Sequence, residues 1–214
     1  MSANGLTGPL PPRLFGMDGL EKLQLFGNSI TGEIPNEFYA LPNFKYLDVD
    51  SNEMSGQISP DIGNLESLEF LHLSNNRFNG PIPSEIGKLS QVKSLWLSNN
   101  ADITGEIPQD MGNMMSLRDL RLDSLSLSGP IPLTFADLNL VVLSLENNGG
   151  LVGGFPEDLQ YISVICFWEI TLSSLLVLMS FPLPFFLKSN WWLSLFQIRV
   201  FQLKFLLNLE TCGS

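Results

Sequence analysis

The sequence predicts an α/β repeat solenoid of about six units, each near 24 residues long, stacked so that a parallel β-sheet lines one face. Three observations predict it. Glycine recurs at Gly8, Gly32, Gly56 and Gly80 in steps of 24, then at Gly105, Gly129 and Gly153 after steps of 25, 24 and 24. Asparagine recurs at Asn4, Asn28, Asn52, Asn76 and Asn100, again in steps of 24. Between them fall apolar pairs, each two residues apart: Leu23/Leu25, Leu47/Val49, Leu71/Leu73, Leu95/Leu97, Leu120/Leu122 and Leu143/Leu145. That spacing is the period of a strand with one buried face.

The unit Leu65 to Lys88 shows the division of labour most clearly. Leu71 and Leu73 point inward from a short strand, and the upstream series Leu20, Phe44, Leu68, Val92, Leu117 and Leu140 adds a second inward row. Such units cannot bury their own apolar side, so they stack and share one core. Asn76 turns the chain and is expected to satisfy backbone groups of its own turn and of a neighbour. Gly80 allows close approach or a positive φ, Pro83 stiffens the return, and Ile82 and Ile86 re-enter the core. Equivalent prolines stand at Pro11, Pro35, Pro108, Pro132 and Pro156, with Ser59 and then Pro60 in the third unit.

Irregularities collect toward the carboxyl end. Asn100-Ala101-Asp102-Ile103 carries one residue more than the equivalent stretch after Asn76, and Asn148-Gly149-Gly150-Leu151 repeats the insertion. Leu125 stands where the next asparagine belongs, which leaves backbone groups to find water or a rearranged turn. The best-formed part is therefore expected between Leu20 and Leu122.

The string Leu-x-x-Leu-x-Leu-x-x-Asn-x-Leu-x-Gly-x-Ile-Pro, matched by Leu20–Pro35 (LEKLQLFGNSITGEIP) and Leu68–Pro83 (LEFLHLSNNRFNGPIP), resembles the plant-type class of leucine-rich repeats. Such repeats build the ectodomains of receptor-like kinases and receptor-like proteins, and similar ones occur in diatom proteins. The resemblance implies a horseshoe or twisted arc with a parallel concave β-sheet, and a second short sheet beside the glycine–proline segment. It also implies a concave face that takes peptides, small hormones or partner ectodomains, with a co-receptor as a further partner. Full-length members of that family carry a signal peptide, a cysteine-bearing cap, one membrane span and in some cases a kinase. This sequence holds no signal-peptide pattern, no cap cysteine pairs, no Asn-x-Ser/Thr sequon and no kinase motif.

Charge sets the first domain boundary. Residues 1–158 carry a net charge of -12 and residues 159–214 a net charge of +1, within a total of -11. The acidic first segment argues against a nucleic-acid partner, because phosphate contacts need Lys and Arg. Two cysteines, Cys166 and Cys212, make neither a zinc cluster nor a disulfide framework, and no cofactor or metal is expected. The amino terminus already holds the second half of a repeat, NGLTGPLP, so the chain is expected to start inside a unit.

Alternation places three columns of side chains on the open face of the concave sheet. They are Lys22, Tyr46, Phe70, Ser94, Asp119 and Val142; then Gln24, Asp48, His72, Trp96, Arg121 and Ser144; then Phe26, Asp50, Ser74, Ser98, Asp123 and Glu146. Tyr46, Phe70, His72 and Trp96 form an aromatic diagonal, while Asp48, Asp50, Asp119, Asp123 and Glu146 give a negative rim with Arg121 set among them; of these, the four aromatic-diagonal residues with Asp48, Asp50, Arg121 and Asp123 are singled out. Exposed aromatics beside polar groups are typical of binding hot spots. These eight residues are the candidate partner-binding site of a non-catalytic recognition module, and an intracellular scaffold of the same fold is the alternative. An Asp48/His72 pair is a neighbour contact the register permits. His72 has no nucleophile in a recognisable arrangement, so no catalytic role is assigned.

From Leu159 the repeat pattern stops. Tyr161–Leu187 has 27 residues and a single charge, Glu169, which is long enough to span a bilayer of about 30 Å. Trp191 and Trp192 would suit the interface. Glu169 in hydrocarbon and the breaks at Pro182 and Pro184 oppose that reading. A frame discontinuity after Leu159 or a folded cap are the other accounts. Membrane attachment through residues 161–187 is the favoured location, with a cytoplasmic one as the alternative.

Overall fold

Each short strand begins where an apolar pair meets the chain's turn signals, and each strand is paid out once per unit. In the computed structural model, which describes residues 4–17 and 19–153, the strands sort into two parallel sheets, each in chain order. The seven-stranded sheet contains β1 (Thr7–Pro9), β3 (Ser29–Gly32), β5 (Glu53–Gln57), β7 (Arg77–Pro81), β9 (Asp102–Glu106), β11 (Ser126–Pro130) and β13 (Gly150–Val152). The six-stranded sheet alternates with it and contains β2 (Lys22–Gln24), β4 (Tyr46–Asp48), β6 (Phe70–His72), β8 (Ser94–Trp96), β10 (Asp119–Arg121) and β12 (Val142–Ser144). A five-residue 3-10 helix, such as Ser84–Lys88, carries the chain back between them.

The core runs between the sheets and the helices as one continuous column of apolar side chains. Leu71, Leu73, Phe78, Ile86, Leu89 and Val92 of one turn of the solenoid are wholly buried. At the first units Phe38 packs edge-on against Phe15 and Phe44, with ring centroids 5.5 and 5.2 Å apart. The expected inward rows are therefore the rows that fill the core.

The asparagines act as a backbone adaptor. Asn76 Nδ2 donates to the carbonyls of Leu73 and Ser74 in its own turn, at 3.1 and 3.0 Å, and to Val49 of the preceding unit at 2.9 Å. Its Oδ1 accepts from Met54 N at 2.9 Å. Asn52 and Asn100 repeat the pattern, with Oδ1 accepting from Ile30 N and Phe78 N at 3.0 Å each. One amide thus satisfies groups in two adjacent units that would otherwise be buried unpaired, each at a cost of about 1–3 kcal/mol.

Leu125 removes a rung without leaving a gap. The inserted residue after Asn100 lets Ile103 N donate to Asn100 O at 3.0 Å, a tight turn inside its own unit. Ile103 N is the group that the missing asparagine would have served. On the carbonyl side, Asn148 Nδ2 reaches back to Leu122 O at 2.7 Å, and Leu125 itself is buried. The second insertion does the same, since Leu151 N donates to Asn148 O at 3.2 Å. Regular structure accordingly extends to Val152, beyond the limit at Leu122 that the sequence suggested.

Gly80 shows why glycine recurs. It sits at φ +74°, and a Cβ there would come within 3.0 Å of the Gln57 side chain of the unit before. Both the backbone conformation and the close approach disfavour larger residues. A second left-handed position lies just before each rung of the asparagine ladder, Leu125 included, at Gly27, Ser51, Asn75, Asn99, Ser124 and Asn147. Glycine, serine and asparagine at that place are a composition signal the repeat alignment did not use.

The expectation of a transmembrane helix, and of membrane location through it, is corrected. No helix among the described residues is long and apolar enough to cross a membrane. Their 3-10 helices span about 10 Å at roughly 2 Å per residue, against the 30 Å of a hydrocarbon core. Residues 161–187, on which that expectation stood, lie outside the described residues, as does the boundary at residue 158.

Candidate binding face

The register of the six-stranded sheet aligns the candidate residues in rows. Tyr46 pairs with Phe70 and Asp48 with His72; Phe70 pairs with Ser94 and His72 with Trp96; Asp119 pairs with Ser94 and Arg121 with Trp96. The ladder continues past the strand ends, with Gly27 N donating to Asp50 O and Asn99 N to Asp123 O at 2.9 and 3.0 Å. Asp50, Ser74, Ser98 and Asp123 therefore also form a row.

The aromatic residues are less open than alternation alone suggests. Tyr46, Phe70 and Trp96 are half-buried, and His72 and Asp48 are buried. The cause is mutual packing. The His72 and Trp96 rings stack in parallel, 3.8 Å between centroids and 6° between planes, and the Arg121 guanidinium covers Trp96 at 4.2 Å. Tyr46 packs on Phe70 at 5.1 Å and edge-on to His72 at 5.7 Å. Lys22 lies 4.2 Å from the Tyr46 centroid and Lys93 5.9 Å from that of Phe70. The diagonal is a pre-organised ladder bordered by cations rather than a set of free aromatic anchors.

Polar contacts hold the ladder's ends. Asp119 accepts a forked pair from Arg121, Nε to Oδ1 at 3.0 Å and Nη2 to Oδ2 at 3.2 Å, which aims the guanidinium plane over Trp96. His72 Nε2 lies 2.9 Å from Ser94 Oγ. Asp48 Oδ1 accepts from Asp50 N at 3.2 Å, so the two halves of the expected Asp48/His72 pair are engaged elsewhere. Burial pushes the His72 imidazole down to about 4, against the pull of Asp119 and Asp50, so it is neutral at pH 7. Burial also raises the Asp48 carboxyl above its usual range.

Two polar atoms on this face are buried without a hydrogen-bond partner, Trp96 Nε1 and Ser74 Oγ. Ser74 was placed by alternation in the third column but was outside the eight residues singled out from sequence. Among the described residues no group of three or more His, Cys, Asp or Glu gathers as a metal site.

A leucine-rich repeat family model matches residues 19–41, 43–65 and 67–89. No curated protein sequence matches the chain. Among solved structures, a Pollen Receptor Kinase 3 superposes with a TM-score of 0.65 at 31% identity, over 72% of this chain and 74% of that one. The plant peptide hormone receptor RGFR1 in complex with RGF2 gives 0.64 at 31% identity, over 76% of this chain and 30% of that one. The Arabidopsis receptor kinase HAESA, in complex with the peptide hormone IDA and the co-receptor SERK1, gives 0.59 at 30% identity, over 75% and 30%. The chain thus spans less than a third of each ligand-bound receptor it resembles.

Proposed function

Because this chain belongs to the leucine-rich repeat family, in its plant-type receptor-ectodomain class, we propose that it is a non-catalytic recognition module that docks a peptide or protein on its six-stranded face. The docking residues are Tyr46, Asp48, Asp50, Phe70, His72, Trp96, Arg121 and Asp123. The observation that carries the reading is the stacked His72–Trp96–Arg121 row beside Tyr46 and Phe70, fixed in register on a face that no other described element covers. Half-buried aromatics locked by their neighbours lose little side-chain entropy on binding, which is the economy a recognition face requires. The peptide hormones and the co-receptor named in the related complexes indicate the partner class, a peptide with a second protein alongside.

The test is selection of binding peptides from a random library against the full chain. Phe70→Ala combined with Trp96→Ala should weaken the selected peptides at least tenfold while the circular-dichroism spectrum is kept. Undiminished affinity in that double variant would remove these residues from the site.

A further inference from the structure

We propose that the row Asp50–Ser74–Ser98–Asp123 is a trough for a basic extended peptide whose two cationic side chains stand four residues apart, a statement that rests on the docking role of this face. Among the described residues neither Asp50 nor Asp123 has a Lys or Arg within salt-bridge distance. The basic groups nearest this face are taken up elsewhere: Arg121 by Asp119 and Trp96, Lys22 by Tyr46, and Lys93 by Glu69. The two carboxylates are instead fixed by hydroxyl and amide donors. Ser51 Oγ donates to Asp50, Asn75 Nδ2 reaches its Oδ2 at 3.2 Å, and Ser98 Oγ donates to Asp123. Their positions are therefore set while their charges remain uncompensated.

Between them lies the independent sign of a missing partner. Ser74 is 4% exposed, shares the row with both carboxylates, and its Oγ has no hydrogen-bond partner. Trp96 Nε1 on the next strand is buried and unpartnered as well. An indole N–H can only donate, whereas a hydroxyl serves either way, so the two together call for a ligand that carries at least one acceptor. A peptide main chain supplies that acceptor through its carbonyls, and its cationic side chains answer the two carboxylates. An isolated cation does not, and no single ion bridges carboxylates three strand spacings, about 14 Å, apart.

The same spacing fixes the ligand's pattern. An extended peptide advances about 3.4 Å per residue, so four residues cover roughly 14 Å, and an even separation keeps both side chains on one side. A Lys/Arg-x-x-x-Lys/Arg segment crossing the strands places one cation at Asp50 and the other at Asp123. Phe26, exposed at the head of the row, is left for an apolar residue beyond the first cation.

The probes are synthetic Gly/Ser-based dodecapeptides with two arginines four, three or two residues apart, titrated against the full chain by calorimetry. The four-residue spacing should bind at least tenfold more tightly than the three-residue one, and should weaken steeply between low and physiological salt. Asp50→Asn and Asp123→Asn, which keep the side-chain shape and remove the charge, should each cost about tenfold, and Ser74→Ala about threefold. Equal affinity for all spacings, or affinity indifferent to both aspartate variants, overturns the proposal. Random-library peptides that are lost with Phe70→Ala/Trp96→Ala but carry no basic pair would leave the docking role standing and remove this trough. Failure of every peptide to map to the six-stranded face would remove both.

Discussion

The solenoid contains two side-chain ladders that run parallel to one another, and they follow different rules. The buried ladder of Asn52, Asn76 and Asn100 repeats one residue type, because each rung meets the same backbone groups in every unit. The open ladder of Tyr46, Phe70, His72, Trp96 and Arg121 repeats position but not identity, because its rungs meet one another and not the backbone. Where residue type recurs, the constraint is the fold. Where the position recurs and the type varies, the chain is free to encode a partner. The unit around Leu125 shows the boundary between the rules: the type changes on the buried ladder only because an inserted residue supplies Ile103 N with another acceptor.

The largest effect should come from breaking the buried ladder. Asn76→Ala orphans Met54 N and withdraws a donor from three carbonyls, and it should cost about 3 kcal/mol in chemical denaturation. An effect below about 1 kcal/mol would mean that water replaces the amide. Next in size is Leu125→Asn, which restores the repeat's consensus yet should destabilise by roughly 2 kcal/mol, since Ile103 N already has its acceptor and the new amide would be buried unpaired. A gain in melting temperature would contradict the compensation. On the open ladder, Phe70→Ala with Trp96→Ala should cost roughly 2 kcal/mol of stability through lost stacking, well short of unfolding the chain.

The last effect is a pH dependence. In the unfolded chain the imidazole of His72 takes up its proton near 6.5, and in the folded chain near 4. Its contribution is therefore complete above pH 6.5 and is lost as the pH falls from there toward 4. His72→Gln should flatten the melting temperature over that interval, and an NMR titration of the single histidine should give its midpoint well below 6. Asp48 has the opposite sign: its raised folded value makes the neutral form the stable one, so Asp48→Asn should raise the melting temperature at pH 7 and lose that advantage in acid.

The two rules also explain what the sequence could and could not reveal. The asparagine interval, the apolar pairs and the glycine represented by Gly80 recur from unit to unit with few exceptions, so the sheet, its register and the three columns followed from the repeat. The exposure of His72 and Trp96 did not, because burial on the open face depends on which rings happen to be neighbours across strands. Ser74 was invisible for the same reason: only the absence of a partner distinguishes it from Ser98, whose hydroxyl serves Asp123. The best-formed part of the solenoid was placed too short because the insertion after Asn100 and the loss of asparagine at Leu125 read as two defects, whereas one repairs the other. The membrane span was inferred from hydropathy over residues 161–187, and the described helices give it no support.

The central claim, that the six-stranded face is the docking surface, is tested most directly by amide hydrogen exchange on the full chain with and without a library-selected peptide. The prediction is slowed exchange across residues 46–50, 70–74, 94–98 and 119–123, with the seven-stranded sheet unchanged. Protection confined to the seven-stranded sheet or to the 3-10 helices would contradict it.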